Sequence, residues 1–307
     1  MKKNAITRRK LIQLASGAGA SLGLGWNPLA AQAEEITRKA IPATGEKIPA
    51  IGIGTNRYHV GTPEQNAGLK ATLEVFANLG GTVIDTAPVY RTSENILGQL
   101  IAEFGNRDEL FIATKVEKKD QESAIQRMEE SFEKLQTPVI DLMQSHQMNA
   151  AEKTLPIMRD WQAQRRFRYV GITTSDTSTH PRMLELMNKE RMDFIQVNYS
   201  LSNREAAERI LPLADAKGIA VLINIPFARG ALFKAVADRP LPEWATEFDC
   251  DSWAQFFLKY VISHPAVTCA IPGATKAHHA SDNFGAAHGR LPDAALRRKQ
   301  EEYFDAI

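Results

Sequence analysis

Eight short apolar runs alternate with stretches of helical spacing along this chain, and no Pro/Ser/Gly-rich linker interrupts the alternation. Short, fully apolar strands separated by amphipathic helices imply a parallel sheet covered on its outer face. Eight such units in about 250 residues match the arithmetic of one closed barrel. The fold class predicted is therefore α/β: a (β/α)8 TIM barrel with an N-terminal β-hairpin lid and a C-terminal helix.

The first 33 residues stand apart from this pattern. Lys2, Lys3, Arg8, Arg9 and Lys10 fall there without a single acidic residue, and a weakly apolar stretch follows to about Leu24. Ala31-Gln32-Ala33 then offers small residues for cleavage. A basic region, an apolar region and a small-residue site make an export signal. Its paired arginines resemble a twin-arginine signal, with Leu11 where that pattern usually has Phe. The stretch is shorter than the ~20 apolar residues needed to span a bilayer, and no Cys follows it, so no stable membrane anchor is expected. The expectation is a periplasmic protein handled by the twin-arginine export machinery, with residues 1–33 as signal and 34–307 as one barrel domain.

Composition narrows the function classes. The chain has 307 residues, 37 basic and 36 acidic side chains, 44% hydrophobic residues and 2 cysteines. This balance excludes a disordered tail and a small disulfide-stapled domain. Five of the basic residues belong to the signal, so the 274 residues after it hold 32 basic against 36 acidic side chains, a net −4. No nucleic-acid partner is expected from such a charge. Cys250 precedes a helical stretch and Cys269 lies in an apolar run, an arrangement that predicts two free thiols.

After a hairpin-like lead over residues 36–50, the strand-like runs are Ile51–Gly54, Thr82–Thr86, Leu110–Lys115 and Val139–Gln144. The series continues with Tyr169–Thr173, Phe194–Asn198, Ala220–Ile225 and Val267–Ile271. Helical spacing marks Glu64–Leu79, with Leu69, Leu73 and Phe76 on one stripe, then Ser93–Glu103, Glu122–Leu135, Glu205–Lys217 and Ser252–Ile262. The rival architecture, an open doubly wound sheet, lacks its glycine signature: Gly52, Gly54 and Gly61 fail the dinucleotide spacing. P-loop, His-Glu-x-x-His and Cys-x-x-Cys patterns are absent, so no metal ligands are expected.

Barrels of this kind carry their chemistry at the C-terminal strand ends and on the loops that follow. Three consecutive ends bring together Asp85 and Tyr90, Lys115, and His146. A phenol is a poor acid at neutral pH. An ammonium beside it stabilises the phenolate and lowers its pKa, and a carboxylate keeps that ammonium charged. An imidazole opposite can hold a substrate oxygen in line with the phenol. Such a set suits proton donation to a carbonyl oxygen while hydride arrives at the carbonyl carbon.

The residues around these four resemble a known family. Asp85-Thr86-Ala87-Pro88-Val89-Tyr90-Arg91-Thr92-Ser93-Glu94-Asn95-Ile96-Leu97-Gly98 is similar to the Asp-Thr-Ala-x-x-Tyr-Gly-x-Ser-Glu-x-x-Leu-Gly signature of the aldo/keto reductases. Ala113-Thr114-Lys115 and Asp141-Leu142-Met143-Gln144-Ser145-His146 resemble the family's Lys and His strand motifs. Similar pieces recur in order through Tyr169–Thr173, Ile195–Tyr199, Pro226–Gly230 and Ala270–Thr275. The resemblance implies a barrel that binds a nicotinamide dinucleotide and reduces a small-molecule carbonyl substrate. Tyr90 would be the acid/base, Lys115 and Asp85 would tune it, and His146 would orient the substrate.

For the cofactor the resemblance implies NADP(H), with NAD(H) as the alternative. Gln196 matches a carboxamide-binding Gln and Asn283 an adenine-binding Asn. Thr173 and Thr174 stand for the usual Ser and Asn, Asn224 for the Tyr that stacks on nicotinamide, Gly273 for a Lys and His279 for an Arg. Arg229 lies in the Pro226–Gly230 piece, and Lys276 offers a partner for a 2′-phosphate near a helix start. Arg91 replaces the usual Gly beside Tyr90 and either receives an acidic substrate or faces solvent. Tyr58-His59, Gln147-Met148 and the Ala231–Asp249 segment are expected to shape the substrate pocket, with Trp244 and Phe248 walling it or packing in the core. A second reading, motivated by the missing Tyr and the export signal, is a non-catalytic dinucleotide-binding or sensory protein that kept the barrel.

Overall fold

The computed structural model describes residues 36–59 and 62–307; the predicted signal lies outside them. The chain opens with an antiparallel hairpin, β1 (Arg38–Ala40) and β2 (Lys47–Pro49). Eight parallel strands follow: β3 (Ile53–Gly54), β4 (Val83–Asp85), β5 (Phe111–Val116), β6 (Ile140–Ser145), β7 (Phe167–Thr173), β8 (Phe194–Asn198), β9 (Ala220–Asn224) and β10 (Cys269–Ala270). Each pairs with its sequence neighbour, and single parallel bridges, Ile51 to Ala270 and Gly54 to Gly273, join the first strand to the last. The predicted barrel is the observed one, and all eight runs become strands within one or two residues of their predicted ends.

Strand alternation sorts the side chains into two cores. Val83, Phe111, Ala113, Leu142, Tyr169, Phe194, Leu222 and Cys269 fill the barrel interior. Their sequence neighbours Ile84, Ile112, Met143, Val170, Ile195 and Val221 pack outward against the helices. This period of two is the geometry of a pleated strand. Further along the inward face lie Asp85, Lys115, Gln144, Thr173, Gln196 and Asn224, at the C-terminal mouth. Gly171 sits on that face because a Cβ there would lie 2.4 Å from Phe194 O.

The hairpin plugs the opposite end. Ile41 and Ile48 join the interior core, and Tyr169 Oη donates to Glu46 at 2.7 Å. Arg168 pairs with both Glu46 and Asp141, and Asp141 also accepts from Ile112 N at 2.8 Å. The lid thus covers the end away from the chemistry.

The helices are α1 (Pro63–Asn78), α2 (Ser93–Phe104), α3 (Gln121–Leu135), α4 (Ala151–Ala163), α5 (His180–Lys189), α6 (Ala206–Lys217), α7 (Ala231–Ala235), α8 (Trp253–Ile262), α9 (Ala277–Gly285) and α10 (Ala294–Asp305). A capping box between Thr62 and Gln65, followed by Pro63, starts α1 and leaves Leu69, Leu73 and Phe76 buried as the stripe predicts. Ile96, Leu97, Leu100 and Ile101 of α2 are buried, each contributing roughly 1.5–3 kcal/mol. Gly98 allows α2 to meet α3, since a Cβ would lie 2.1 Å from Lys134 O. The helical reading of the sequence omitted α4, α5 and the short α7. Pro156 lies inside α4, and Pro181 occupies a first-turn position of α5 where the missing N–H costs nothing. Near the C-terminus the wholly buried Lys259 donates to Phe248 O, His288 O and Arg290 O at 2.7–3.0 Å, tying α8 to the segments around it. Cys250 and Cys269 are free and buried. Among the described residues no helix is long and apolar enough to cross a membrane.

Candidate active site

A cleft of about 670 Å³ opens at the C-terminal mouth of the barrel. Asp85, Tyr90 and His146 line it, and Lys115 is buried behind them. The four predicted residues are therefore brought together.

Lys115 Nζ donates to Asp85 Oδ2 at 2.7 Å and to Thr86 O at 2.8 Å, and lies 5.4 Å from the centre of the Tyr90 ring. Asp85 and Lys115 are 3% and 1% exposed, so each charge depends on the other. Burial works against the ammonium most strongly, but Asp85, Tyr90 and Glu94 together outweigh it and hold the Lys115 pKa above its ordinary value. Tyr90 feels Lys115 most strongly, which favours the phenolate. Burial and the Asp85 carboxylate outweigh that pull, and its pKa ends above the ordinary 10.0. This corrects the predicted direction: the isolated site keeps the phenol protonated.

The His146 ring stands edge-on to Tyr90 with centroids 6.4 Å apart. Burial, then the Lys115 charge, push its pKa down to about 4. At neutral pH His146 is therefore uncharged, a hydrogen-bonding group rather than a proton source.

Asp85 has a second set of supports. Gln196 Nε2 donates to Asp85 Oδ1 at 2.7 Å, while Gln196 Oε1 accepts from Asn224 Nδ2 at 3.4 Å. Asn224 Nδ2 also donates to Thr174 O at 2.8 Å. A chain of amides thus runs from the carboxylate across β8 to the end of β9. In this state the predicted carboxamide-binding Gln196 braces Asp85.

Of the predicted cofactor residues, Thr173, Gln196, Asn224, Arg229, Lys276 and His279 line the cleft. Thr174 and Asn283 do not; both are buried, at 0% and 6% exposure. The residues present fit a dinucleotide. Helix α9 starts behind Lys276 without a side-chain cap, so its first N–H groups join Lys276 and Thr275 as an anion-binding set.

The predicted pocket walls are observed in part: Gln147, and Phe233 of the Ala231–Asp249 segment, line the cleft. Tyr58 is wholly buried in the outer core and Met148 is 7% exposed, while Asn56, Arg57 and Gln147 line the cleft. Phe248 is 0% exposed and belongs to the core, and the partly buried Trp244 packs against it and against Phe256 and Tyr303, so neither walls the cleft. The aromatic wall is Phe227 with Phe233, whose rings lie 4.8 Å apart.

Backbone conformation also marks this rim. Ten non-glycine residues among those described have φ in the left-handed range. Seven of them, Arg91, Gln147, Met148, Ala150, Ile225, Ala228 and Arg229, fall on three loops at this mouth. Such conformations cost about 1–3 kcal/mol each and gather where function over-determines the chain. The residue types alone carry no sign of them.

Known proteins place the chain. Among curated relatives, the methylglyoxal reductase YeaE of Escherichia coli (strain K12) is 28% identical over 275 residues, covering 87% of this chain and 95% of that protein. The aldo-keto reductase YhdN of Bacillus subtilis (strain 168) is 30% identical over 216 residues, 63% of this chain and 62% of that protein, so the match spans less than two thirds of that relative. Among solved structures, the holo form of aldo-keto reductase AKR11C1 from Bacillus halodurans superposes with a TM-score of 0.71 at 20% identity, over 88% of this chain and 96% of that one. An aldo/keto reductase from Klebsiella pneumoniae, in complex with NADP and acetate, gives a TM-score of 0.70 at 24% identity over 85% and 93%. Residues 50–301 match the profile of the aldo/keto reductase family. The chain belongs to the aldo/keto reductase family and is an oxidoreductase.

Proposed function

We propose that this enzyme is an NADP(H)-dependent reductase that turns an aldehyde or ketone into an alcohol, with Tyr90 as the proton donor. The observation that carries the reading is the buried Lys115–Asp85 pair set behind a protonated Tyr90, with a neutral His146 facing it across the cleft. The Escherichia coli relative named a methylglyoxal reductase supports a small carbonyl substrate, and the NADP in the Klebsiella pneumoniae structure supports the cofactor.

A dinucleotide held in this cleft would supply hydride to the carbonyl carbon. Lys276 and the first turn of α9 would hold its anionic end, and Thr173 and Asn224 stand at strand ends lining the same cleft as Tyr90. His146 fixes the carbonyl oxygen. The Tyr90 hydroxyl donates its proton to that oxygen, and the Lys115 ammonium stabilises the phenolate left behind. Asp85 keeps the ammonium charged at the moment it is needed.

The ionisations give a test. His146, with its pKa lowered to about 4, is neutral above that pH, and Tyr90, raised above 10.0, keeps its proton below it. The reduction rate is expected to stay level from about pH 5 to pH 9 under saturating NADPH. A titration near 6.5 would show a charge-changing histidine and contradict the assignment. Fluorescence titration should give tighter binding of NADPH than of NADH. No affinity for either would favour the non-catalytic reading.

Residues 1–33 support export by the twin-arginine route to the periplasm, with the signal removed near Glu34. The full chain, expressed in a bacterium with that pathway, should reach the periplasmic fraction shortened at its N-terminus. Replacing Arg8 and Arg9 together by Lys should leave the unprocessed chain in the cytoplasm. A wild-type chain found only there at full length would overturn the location.

A further inference from the structure

Arg91 directly follows Tyr90, is exposed, and has backbone angles of φ 60° and ψ −112°. Glycine enters this region freely, whereas any residue with a Cβ is strained there. Nothing local compensates the arginine: among the described residues Arg91 has no hydrogen bond or ion pair. If the side chain only faced water, glycine would serve the same turn without strain. Strain unexplained by local contacts points to a role in function.

The residue type indicates which role. A guanidinium is permanently charged and presents a planar fork of donors suited to a carboxylate or a phosphate. The surroundings favour an anion as well. Arg91 stands just outside the cleft lining, next to Tyr90, while Arg57, Arg229 and Lys276 line the cleft itself, and the charge on Arg229 is among those felt by Tyr90. Asp85 is the single carboxylate in that lining, and Lys115 and Gln196 already occupy it. An anionic substrate would meet no opposing free carboxylate there. Val89, on the other side of Tyr90, is 48% exposed and leaves the rim open to a bound molecule.

We propose that Arg91 is a specificity-determining residue that binds an anionic group, a carboxylate or a phosphate, carried by the substrate beside its reacting carbonyl. This rests on the reductase reading above. Arg91 follows β4, whereas Lys276 and α9 follow β10, so the substrate's charge and the dinucleotide's phosphates are met by different loops.

Three aldehydes of similar size separate the cases: 4-carboxybenzaldehyde, 4-formylphenyl phosphate and the uncharged 4-nitrobenzaldehyde. With NADPH saturating, kcat/KM is measured for each on the wild type, Arg91→Gly and Arg91→Lys. The glycine variant suits the backbone, so its melting temperature should equal or exceed that of the wild type. Its ratio of charged to uncharged kcat/KM should fall at least tenfold, through KM, with Arg91→Lys between the two. The anion that loses more is the one recognised. An unchanged ratio in Arg91→Gly, or an equal loss on all three aldehydes, overturns the inference and leaves the reductase standing. No reduction of any of the three by the wild type overturns both.

Discussion

Replacing Tyr90 by Phe is expected to lower kcat for carbonyl reduction by about 10²–10⁴-fold, the range for loss of a positioned general acid. The dinucleotide affinity should be unchanged, because the phenol contributes a proton and not an anchor. The change removes one oxygen, and the ring still rests over Lys115, whose Nζ lies 5.4 Å from its centre. Stability should therefore hold, and stopped-flow turnover with fluorescence titration separates the two effects. A variant that keeps wild-type turnover would take the proton-transfer role away from Tyr90.

Lys115→Met should damage both folding and catalysis. Lys115 and Asp85 are nearly wholly buried and joined at 2.7 Å. Removing one partner of such a pair leaves an uncompensated buried charge and costs about 3–5 kcal/mol. Asp85 would keep only the Gln196 amide at 2.7 Å and Gln144 at 3.5 Å, and Thr86 O would lose a donor. Urea denaturation should show the midpoint falling with an unchanged slope. Turnover should fall with it, since no ammonium would face the phenolate. The double variant Lys115→Met, Asp85→Leu distinguishes the two losses. With no stranded charge it should recover much of the stability while remaining inactive. Recovered activity would contradict the tuning role of the pair.

Much of this site was legible because a strand alternates with period two. The interior residues Phe111 and Ala113 put Lys115 on the same inward face, and Val83 does the same for Asp85. Once the eight runs are assigned, the mouth of the barrel follows from counting. Tyr90 and His146 were found from their places just beyond strand ends. Less visible was how neighbouring polar groups would share their hydrogen bonds. The resemblance assigns Gln196 and Asn224 to the cofactor, and both line the cleft; that they also brace Asp85 through a chain of amides is revealed only by three-dimensional distances. The pKa of Tyr90 likewise depends on burial against charge, a balance that residue order does not contain.

Loop residues were read less well for a related reason. Tyr58 carries no periodic signal that separates a cleft wall from the core, and it is core; Trp244 and Phe248, left open between the two, take the core-packing alternative. Arg57, which lines the cleft, was not singled out in the sequence. The positive φ values at Arg91, Ile225 and Ala228 leave no trace in residue type, since sequence rules assign that conformation to glycine and asparagine. Only for Arg91 did the sequence give a hint, through an arginine standing where the resembling family has glycine.

The proposed reaction is hydride transfer from a nicotinamide to a carbonyl carbon, with the proton coming from Tyr90. The direct measurement follows the hydride with NADPH deuterated at the transferring C4 position. Purified enzyme lacking residues 1–33 is given this cofactor and 4-carboxybenzaldehyde, and the alcohol is examined by mass spectrometry and NMR. One deuterium on the former carbonyl carbon, matched by one NADPH oxidised and absent with Tyr90→Phe over the same period, is the expected result. An alcohol without the label, or NADPH oxidised with no alcohol formed, would contradict it.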